Sequence, residues 1–521
     1  MMRLSGAVAM DLRTQWRYGI IAVAGVLTAG WTAALLVIPA DVARTAGPYL
    51  LFLDTATFGV FFIAALVLFE RTEGALSSLV ASPLRTGEYL AAKLATLTAL
   101  VVAAALPITL AATRDDLASA PPALGRVIPA VALVSLFFLA VSLYLVVPHR
   151  TLTGFLAVAP WPMVPFLLPP LLHLAGLVTS PVLYAIPTVG AVDLIRSGLE
   201  PAAVGWPAWG PVAAAGYLAG WAALVLAAAR RRFRGGLGSG PPRGPAASRR
   251  TDRNNPKVAA STGPRTERAA RRRPAAVANA IALARLDLRN VRNDRLLILA
   301  LGGPVLLAIA LRLGYPGLAG LVSDRFGLDL AAYRPVLLAA LVLLHVPMML
   351  GMVGSLLLLD DLDERHLHAL RATPTTLLRY GVYRLGGVAV LSACSLAVGL
   401  PLSGLATGYG AAPLMVSVVL AAAQSVLVLL VVAAFVGNKV EGLAVLKLTG
   451  GVLIAVPVAA WWTDGTAGWV LGLLPPAWPA RALWAGSASD LVTAGLLGVA
   501  VTAAAGWLLA RRALRRFAEI A

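Results

Sequence analysis

Apolar residues fall in long runs along most of this chain, separated by short polar stretches. In the first part the runs cover residues 18–38, 49–69, a third stretch ending near 112, a fourth ending near 148, then 152–177 and 211–229. In the second part they cover 296–313, 336–359, 381–406, 414–436, 443–461 and 491–510. About twenty apolar residues is the length an α-helix needs to cross a bilayer. The pattern predicts an all-α integral membrane protein of twelve transmembrane helices, arranged as two six-helix repeats. An even number of spans gives both repeats the same orientation, so they are parallel.

Some runs depart from a plain span. Residues 152–177 carry Pro160, Pro162, Pro165, Pro169 and Pro170. Proline removes a backbone donor and clashes with the preceding turn, so this segment is expected to be kinked or broken. Residues 184–198 are apolar but short, and read as re-entrant. Residues 1–17 are too polar to insert, yet carry Asp11-Leu12-Arg13 and Trp16, and read as an interfacial segment. They are not a secretory signal, because many further spans follow.

The stretch from Glu70 to Leu84 interrupts the second and third runs. Glu70 and Glu73 lie one turn apart, followed by Leu76, Leu79 and Val80 at helical spacing. That is a short amphipathic helix lying on a membrane surface. Ser82-Pro83 ends it, since the residue before proline is pushed out of the α region. The same design returns from Asp361 to Pro374. Glu70 aligns with Asp361, Glu73 with Glu364, Leu76 with Leu367 and Pro83 with Pro374; further on, Tyr89 aligns with Tyr380 and Lys93 with Arg384. Duplication at fixed register argues for a docking helix that receives force from a cytosolic partner, over a charged loop used twice.

Composition narrows the class. Hydrophobic residues make up 59% and charged residues 13%, which excludes a water-soluble globule for most of the length. The single cysteine, Cys394, excludes a disulfide framework and a thiolate metal cluster within the chain. The five histidines lack ligand spacing, so no metal and no cofactor are expected in this chain. Arginine outnumbers lysine, and alanine and proline are heavy, a coding bias that points to a GC-rich bacterium.

Much of the net charge of +19 sits in the stretch between the two sets of runs. Arginine, glycine, proline and serine dominate there, with few large apolar residues, as in a disordered linker. Three parts follow: 1–234 as the first six-span unit, 235–274 as a basic cytosolic linker, and 275–521 as the second unit. Basic runs can bind nucleic acid. Beside membrane spans they instead mark the cytoplasmic side and attract anionic lipid, so no nucleic-acid partner is expected. After the linker the pattern restarts. Asp287-Leu288-Arg289 repeats Asp11-Leu12-Arg13, and Arg511, Arg512, Arg515 and Arg516 repeat the arginines that close the first unit. Termini, linker and acidic helices all fall on one side, which places both termini in the cytoplasm.

A six-span unit with a cytosolic Glu-x-x-Glu-Gly helix and Ser-Pro-Leu between spans two and three resembles the ABC-2 type permeases of ABC exporters. It is most similar to bacterial fluoroquinolone-export permease subunits, here with two units fused in one chain. The first copy matches better, at Glu70, Glu73, Gly74, Pro83, Leu84, Tyr89 and Lys93; the second has Arg365 in place of Gly74 and Thr375 in place of Leu84. The resemblance implies that Glu70, Glu73, Leu76 and Pro83, with Asp361, Glu364, Leu367 and Pro374, form coupling helices seated in a separate ABC ATPase, one copy under each half. It also implies export across the bacterial cytoplasmic membrane. The sequence contains no Gly-x-x-x-x-Gly-Lys-[Ser/Thr] phosphate loop, so ATP is expected to be bound and hydrolysed by that partner subunit.

Two other classes compete. A twelve-span secondary transporter is suggested by Ser323-Asp324-Arg325-Phe326-Gly327, though the topology puts that loop outside. A membrane scaffold without transport is the third. Co-purification of an ATPase separates the first class from the others, and proton-driven transport without one favours the second.

The repeat register also places Asp54 opposite His345. Neither suits hydrocarbon, where a central aspartate costs about 2.5–3.5 kcal/mol. A pair between the second spans of the two halves would meet that cost, with Met348, Met349 and Met352 as an adaptable wall for an apolar substrate. The plain alternative is an aspartate shallow enough to reach headgroups and methionines that only pack. For the linker, deletion of residues 240–265 is expected to leave insertion and transport largely intact, because such segments bury nothing. Loss of transport at normal expression would show that the linker is more than a tether.

Overall fold

The computed structural model describes residues 2–72, 86–149, 152–207, 209–238, 295–326, 329–363, 377–437, 439–463 and 465–520. The acidic segments 73–83 and 364–374, and the linker beyond residue 238, lie outside the described residues.

Every described element is helical. α1 (Met2–Arg17) precedes α2 (Ile20–Val37), and the two meet at a bend of 67°. Gly19 makes that bend with φ +68°, a left-handed conformation that favours glycine. This suits an interfacial helix feeding a span. α3 (Ala40–Thr72) and α4 (Thr86–Ala112) follow, then α5 (Ala120–Val146). The proline-rich run forms two short helices, α6 (Leu152–Val158) and α7 (Pro160–Leu174). The short apolar segment is α8 (Pro187–Leu199), nearly all buried, and α9 (Gly210–Gly238) closes the first unit.

In the second unit α10 (Arg295–Phe326) leads to one span built from α11 (Arg334–Leu338), a π turn at Ala339–Leu343 and α12 (His345–Asp363). α13 (Leu377–Leu402), α14 (Ala411–Phe435) and α15 (Lys439–Trp462) follow. Two short helices, α16 (Gly465–Leu471) and α17 (Ala477–Leu483), precede α18 (Ala488–Ile520).

Among the described residues ten helices are long and apolar enough to cross a membrane, or eleven if α1 and α2 are taken as one bent span. The expected twelve are therefore not all present as single rods. The fifth run falls short because Pro160, Pro162, Pro165, Pro169 and Pro170 divide and shorten it. Two boundaries also move. α10 carries Asp324 in its last turn, where a loop was expected, and α9 extends four residues into the expected linker, to Gly238.

α5 is the hub of the first unit and packs against α3, α4, α8 and α9. α14 holds the corresponding place in the second, against α12, α13, α17 and α18. Small residues let the helices approach closely, as membrane packing requires. A Cβ on Gly351 would lie 2.8 Å from Cβ of Val428 and 2.9 Å from the Ser425 carbonyl oxygen. The two units join where α15 packs on α2 and α3 and α10 packs on α6. Leu344, Leu356, Leu443 and Leu453 share one buried cluster with residues of the first unit.

Gly351→Ala is expected to push α12 from α14 and to cost about 1–3 kcal/mol, as overpacking does. A lowered unfolding temperature in detergent would register it. An unchanged temperature would show that the helices separate freely there.

Candidate functional site

The end of the first unit that carries α1 and flanks segment 73–83 holds a buried charge network. α1 brings Asp11 and Gln15, the last turn of α3 brings Glu70, and the first turns of α4 bring Tyr89, Lys93 and Thr96. Lys93 Nζ lies 2.9 Å from Asp11 Oδ1 and 2.7 Å from Glu70 Oε1. The Tyr89 hydroxyl donates to Glu70 Oε2. Gln15 Nε2 donates to Asp11 Oδ2 at 2.7 Å and to the Thr96 hydroxyl at 2.9 Å, while that hydroxyl donates to Asp11 Oδ2 at 2.5 Å. Lys93 is 1% exposed. A cation so placed needs both carboxylates and their further hydrogen bonds.

Aromatic contacts surround this network. Tyr18 meets Phe69 edge-on at 4.9 Å, and Tyr89 stacks on Phe233 at 6.4 Å. Arg71 donates to the carbonyls of Val147 and His149, covering acceptors at the end of α5. The network thus fastens α1 to both helices that flank segment 73–83. In the second unit, Tyr380 and Arg384 hold the places of Tyr89 and Lys93, and Arg384 Nε donates to the Tyr380 hydroxyl at 3.0 Å. Asp287 and the Asp361 side chain, which hold the places of Asp11 and Glu70, lie outside the described residues.

A second cluster sits at the other end of the first unit. Asp193 of α8 is 2% exposed and meets His173 Nε2 of α7 at 3.1 Å. The Tyr184 hydroxyl donates to Asp193 Oδ2 at 2.5 Å. Burial, followed by that hydrogen bond and the Asp193 charge, pushes the Tyr184 phenol up to about 12, so it stays a donor. The cluster ties the broken segment to the short buried helix. Arg126 reinforces the same region by donating to the Ser197 carbonyl at 2.9 Å.

The third place is the join between the units. Asp54 of α3 is met by Lys447 of α15, at 2.9 Å, in place of the expected His345. The reason is geometric: α15 packs against both α3 and α12 and carries a cation at that level. The Lys447 ammonium also lies 5.2 Å from the centre of the Phe58 ring. Among the expected methionines, Met348 faces the join, since a Cβ on Gly450 of α15 would lie 2.8 Å from its sulfur. Met349 turns towards α10, where its methyl group would meet a Cβ on Gly303 at 2.7 Å. Met352 packs against the main apolar cluster.

Of the eight expected coupling positions, Glu70 is described with its side chain and Asp361 by its backbone alone. Glu73, Leu76, Pro83, Glu364, Leu367 and Pro374 lie outside the described residues. Asp11 and Lys93 were visible as repeated positions, but nothing in the pattern said that they met. Lys447 was a lone lysine within an apolar run, a signal that could have singled it out. Among the described residues no group of three or more His, Cys, Asp or Glu could hold a metal.

Lys93→Met leaves two carboxylates without their cation and is expected to cost about 3–5 kcal/mol. Thermal unfolding in detergent measures it. Neutralising the acids as well, with D11N and E70Q, should restore much of the loss. A Lys93→Met protein as stable as the parent would show that the network is not held by charge.

Comparison with known proteins agrees with the two-unit arrangement. A family model described as Fluoroquinolones export permease protein family matches residues 2–235, and one described as Fluoroquinolones export permease protein Rv2686c-like matches residues 287–510. The Fluoroquinolones export permease protein Rv2686c of Mycobacterium tuberculosis (strain ATCC 25618 / H37Rv) is 31% identical over 232 residues, 44% of this chain and 92% of the relative. The Fluoroquinolones export permease protein Rv2687c of the same strain is 34% identical over 204 residues, 38% of this chain and 82% of the relative. No solved structure matches. With membrane-crossing helices in both matched regions, the chain is a multi-pass membrane protein that belongs to the fluoroquinolones export permease family, two permease units in one polypeptide.

Proposed function

We propose that this chain is the membrane-spanning component of an ATP-driven exporter of the ABC-2 type, with both termini in the cytoplasm of a bacterium. Segments 73–83 and 364–374 dock a separate ATPase dimer, one subunit under each unit. The exported compounds are amphiphiles of the fluoroquinolone kind, which the relatives carry in their names. ATP is bound by the partner alone, in keeping with the absence of a phosphate loop from the sequence.

The observation that carries this reading is the Asp11–Lys93–Glu70 network. It braces the ends of α3 and α4, the two helices between which segment 73–83 runs. A force applied to that segment is then passed to both spans and to α1, with little lost in side-chain rearrangement. Secondary transport remains the second reading, favoured by one observation: a carboxylate, Asp54, within a span. Co-purification of an ATPase decides for the first. Transport driven by a proton gradient, in membranes free of any ATPase partner, decides for the second.

Reversing Glu73 and Glu364 to lysine is expected to abolish substrate-stimulated ATP hydrolysis and leave the spans folded. Each exposed ion pair is worth only about 0–1 kcal/mol, so the double variant is the informative one. Full stimulation in that variant would remove both segments from the coupling role.

A further inference from the structure

The Asp54–Lys447 pair differs in kind from the Lys93 network. Lys93 is sealed and shared by two carboxylates, whereas Asp54 and Lys447 keep 14% and 21% of their side-chain surface exposed. Among the described residues, Lys447 is the one hydrogen-bond partner of the Asp54 carboxylate. A carboxylate accepts about four hydrogen bonds and an ammonium donates three, so both groups have capacity to spare. Asp54 lies about ten residues, or roughly 15 Å of helix, inward from Arg44, whose ion pair with Asp115 is partly exposed, at 27% and 40%. The pair therefore lies well inside the span. It also bridges the two units, and groups for an apolar ligand lie beside it. Phe58 packs against Phe62 at 4.3 Å, and the Met348 sulfur sits over Gly450, one turn on from Lys447.

We propose that this pair is a binding site for zwitterionic amphiphiles and, when empty, a latch closed on itself between the two units. A ligand amine takes the place of Lys447 at Asp54, a ligand carboxylate meets the released ammonium, and a flat apolar body lies against Phe58 and Met348. The charge pattern selects the class. A cation alone would leave Lys447 unpaired in a low dielectric, and an anion alone would leave Asp54 unpaired. A molecule bearing both charges opens the pair and orphans neither. The inference rests on the exporter reading and deepens it, since fluoroquinolones that bear a basic ring amine at the far end of the molecule from their carboxylate are of this class.

The test is equilibrium binding to the full-length chain in lipid nanodiscs, with no ATPase present. The probes are ciprofloxacin, which is zwitterionic, and its methyl ester, which keeps only the cation. The expected result is a preference for the zwitterion of about tenfold or more, the size of one charge-assisted hydrogen bond. D54N/K447Q removes both charges together, leaves none unpaired and should bind the two probes equally. The exchanged variant D54K/K447D keeps both charges and should keep the preference. Equal affinities in the parent chain, or an undiminished preference in D54N/K447Q, would overturn the proposal. Selective binding with no ATP-driven uptake into inverted vesicles would keep the site and remove the exporter reading instead.

Discussion

Burying a lysine to 1% exposure costs several kcal/mol unless opposite charge comes with it. In this chain the charge comes from two places far apart in sequence, Asp11 before the first span and Glu70 at the end of the second. The Lys93 ammonium can be satisfied only when α1, α3 and α4 hold one arrangement. Tyr89, Thr96 and Gln15 then donate to the two carboxylates, while the Gln15 side-chain oxygen is left buried without a partner. Aromatic rings from α3, α4 and α9 close over the same layer. That end of the first unit is thereby cross-braced by charge and by packed rings.

The opposite end is built by another rule. Proline-broken helices free backbone groups that lipid cannot satisfy, so such segments survive only when buried in protein or near water. α8 is accordingly enclosed by α3, α5, α7 and α9, and the His173–Asp193–Tyr184 cluster and the Arg126 contact hold it there. The second unit uses different residues for the same task. Trp478 Nε1 donates to the Gly472 carbonyl at 2.7 Å and Arg481 donates to that of Gly468 at 2.5 Å. The shared need is a short buried helix tied to a bent segment, and the residue types are free to vary.

Much of the fold was legible because hydrocarbon leaves so few options. Runs of about twenty apolar residues gave the helices, and proline gave the broken one. Boundaries were less legible. α3 begins at Ala40 and α10 continues to Phe326, because polar residues at helix ends reach headgroups without ending the helix. The register of the repeat paired Glu70 with Asp361 and Lys93 with Arg384, yet could not show that Asp11, Glu70 and Lys93 converge. Convergence is set by the 67° bend at Gly19, which no periodicity encodes. The register also misled at Asp54. It names the symmetry mate, His345, but contact between two units depends on which helix lies between them, and α15 brings Lys447 there.

That mismatch separates the roles of the two lysines. Lys93 lies within one unit, at a position with a basic counterpart, Arg384, in the other. Lys447 lies between units, and its partner Asp54 has a histidine for a counterpart. A pair of identical units related by a twofold would present every charge twice across its axis. Fusion of two units into one chain lifts that constraint, because each half can then change without its copy. One half keeps an acid and the other a base, and the join acquires a dipole that identical units would cancel. The central contact of this molecule is therefore asymmetric in charge, whereas Lys93 keeps a basic counterpart in Arg384, and the fused chain makes that asymmetry permanent.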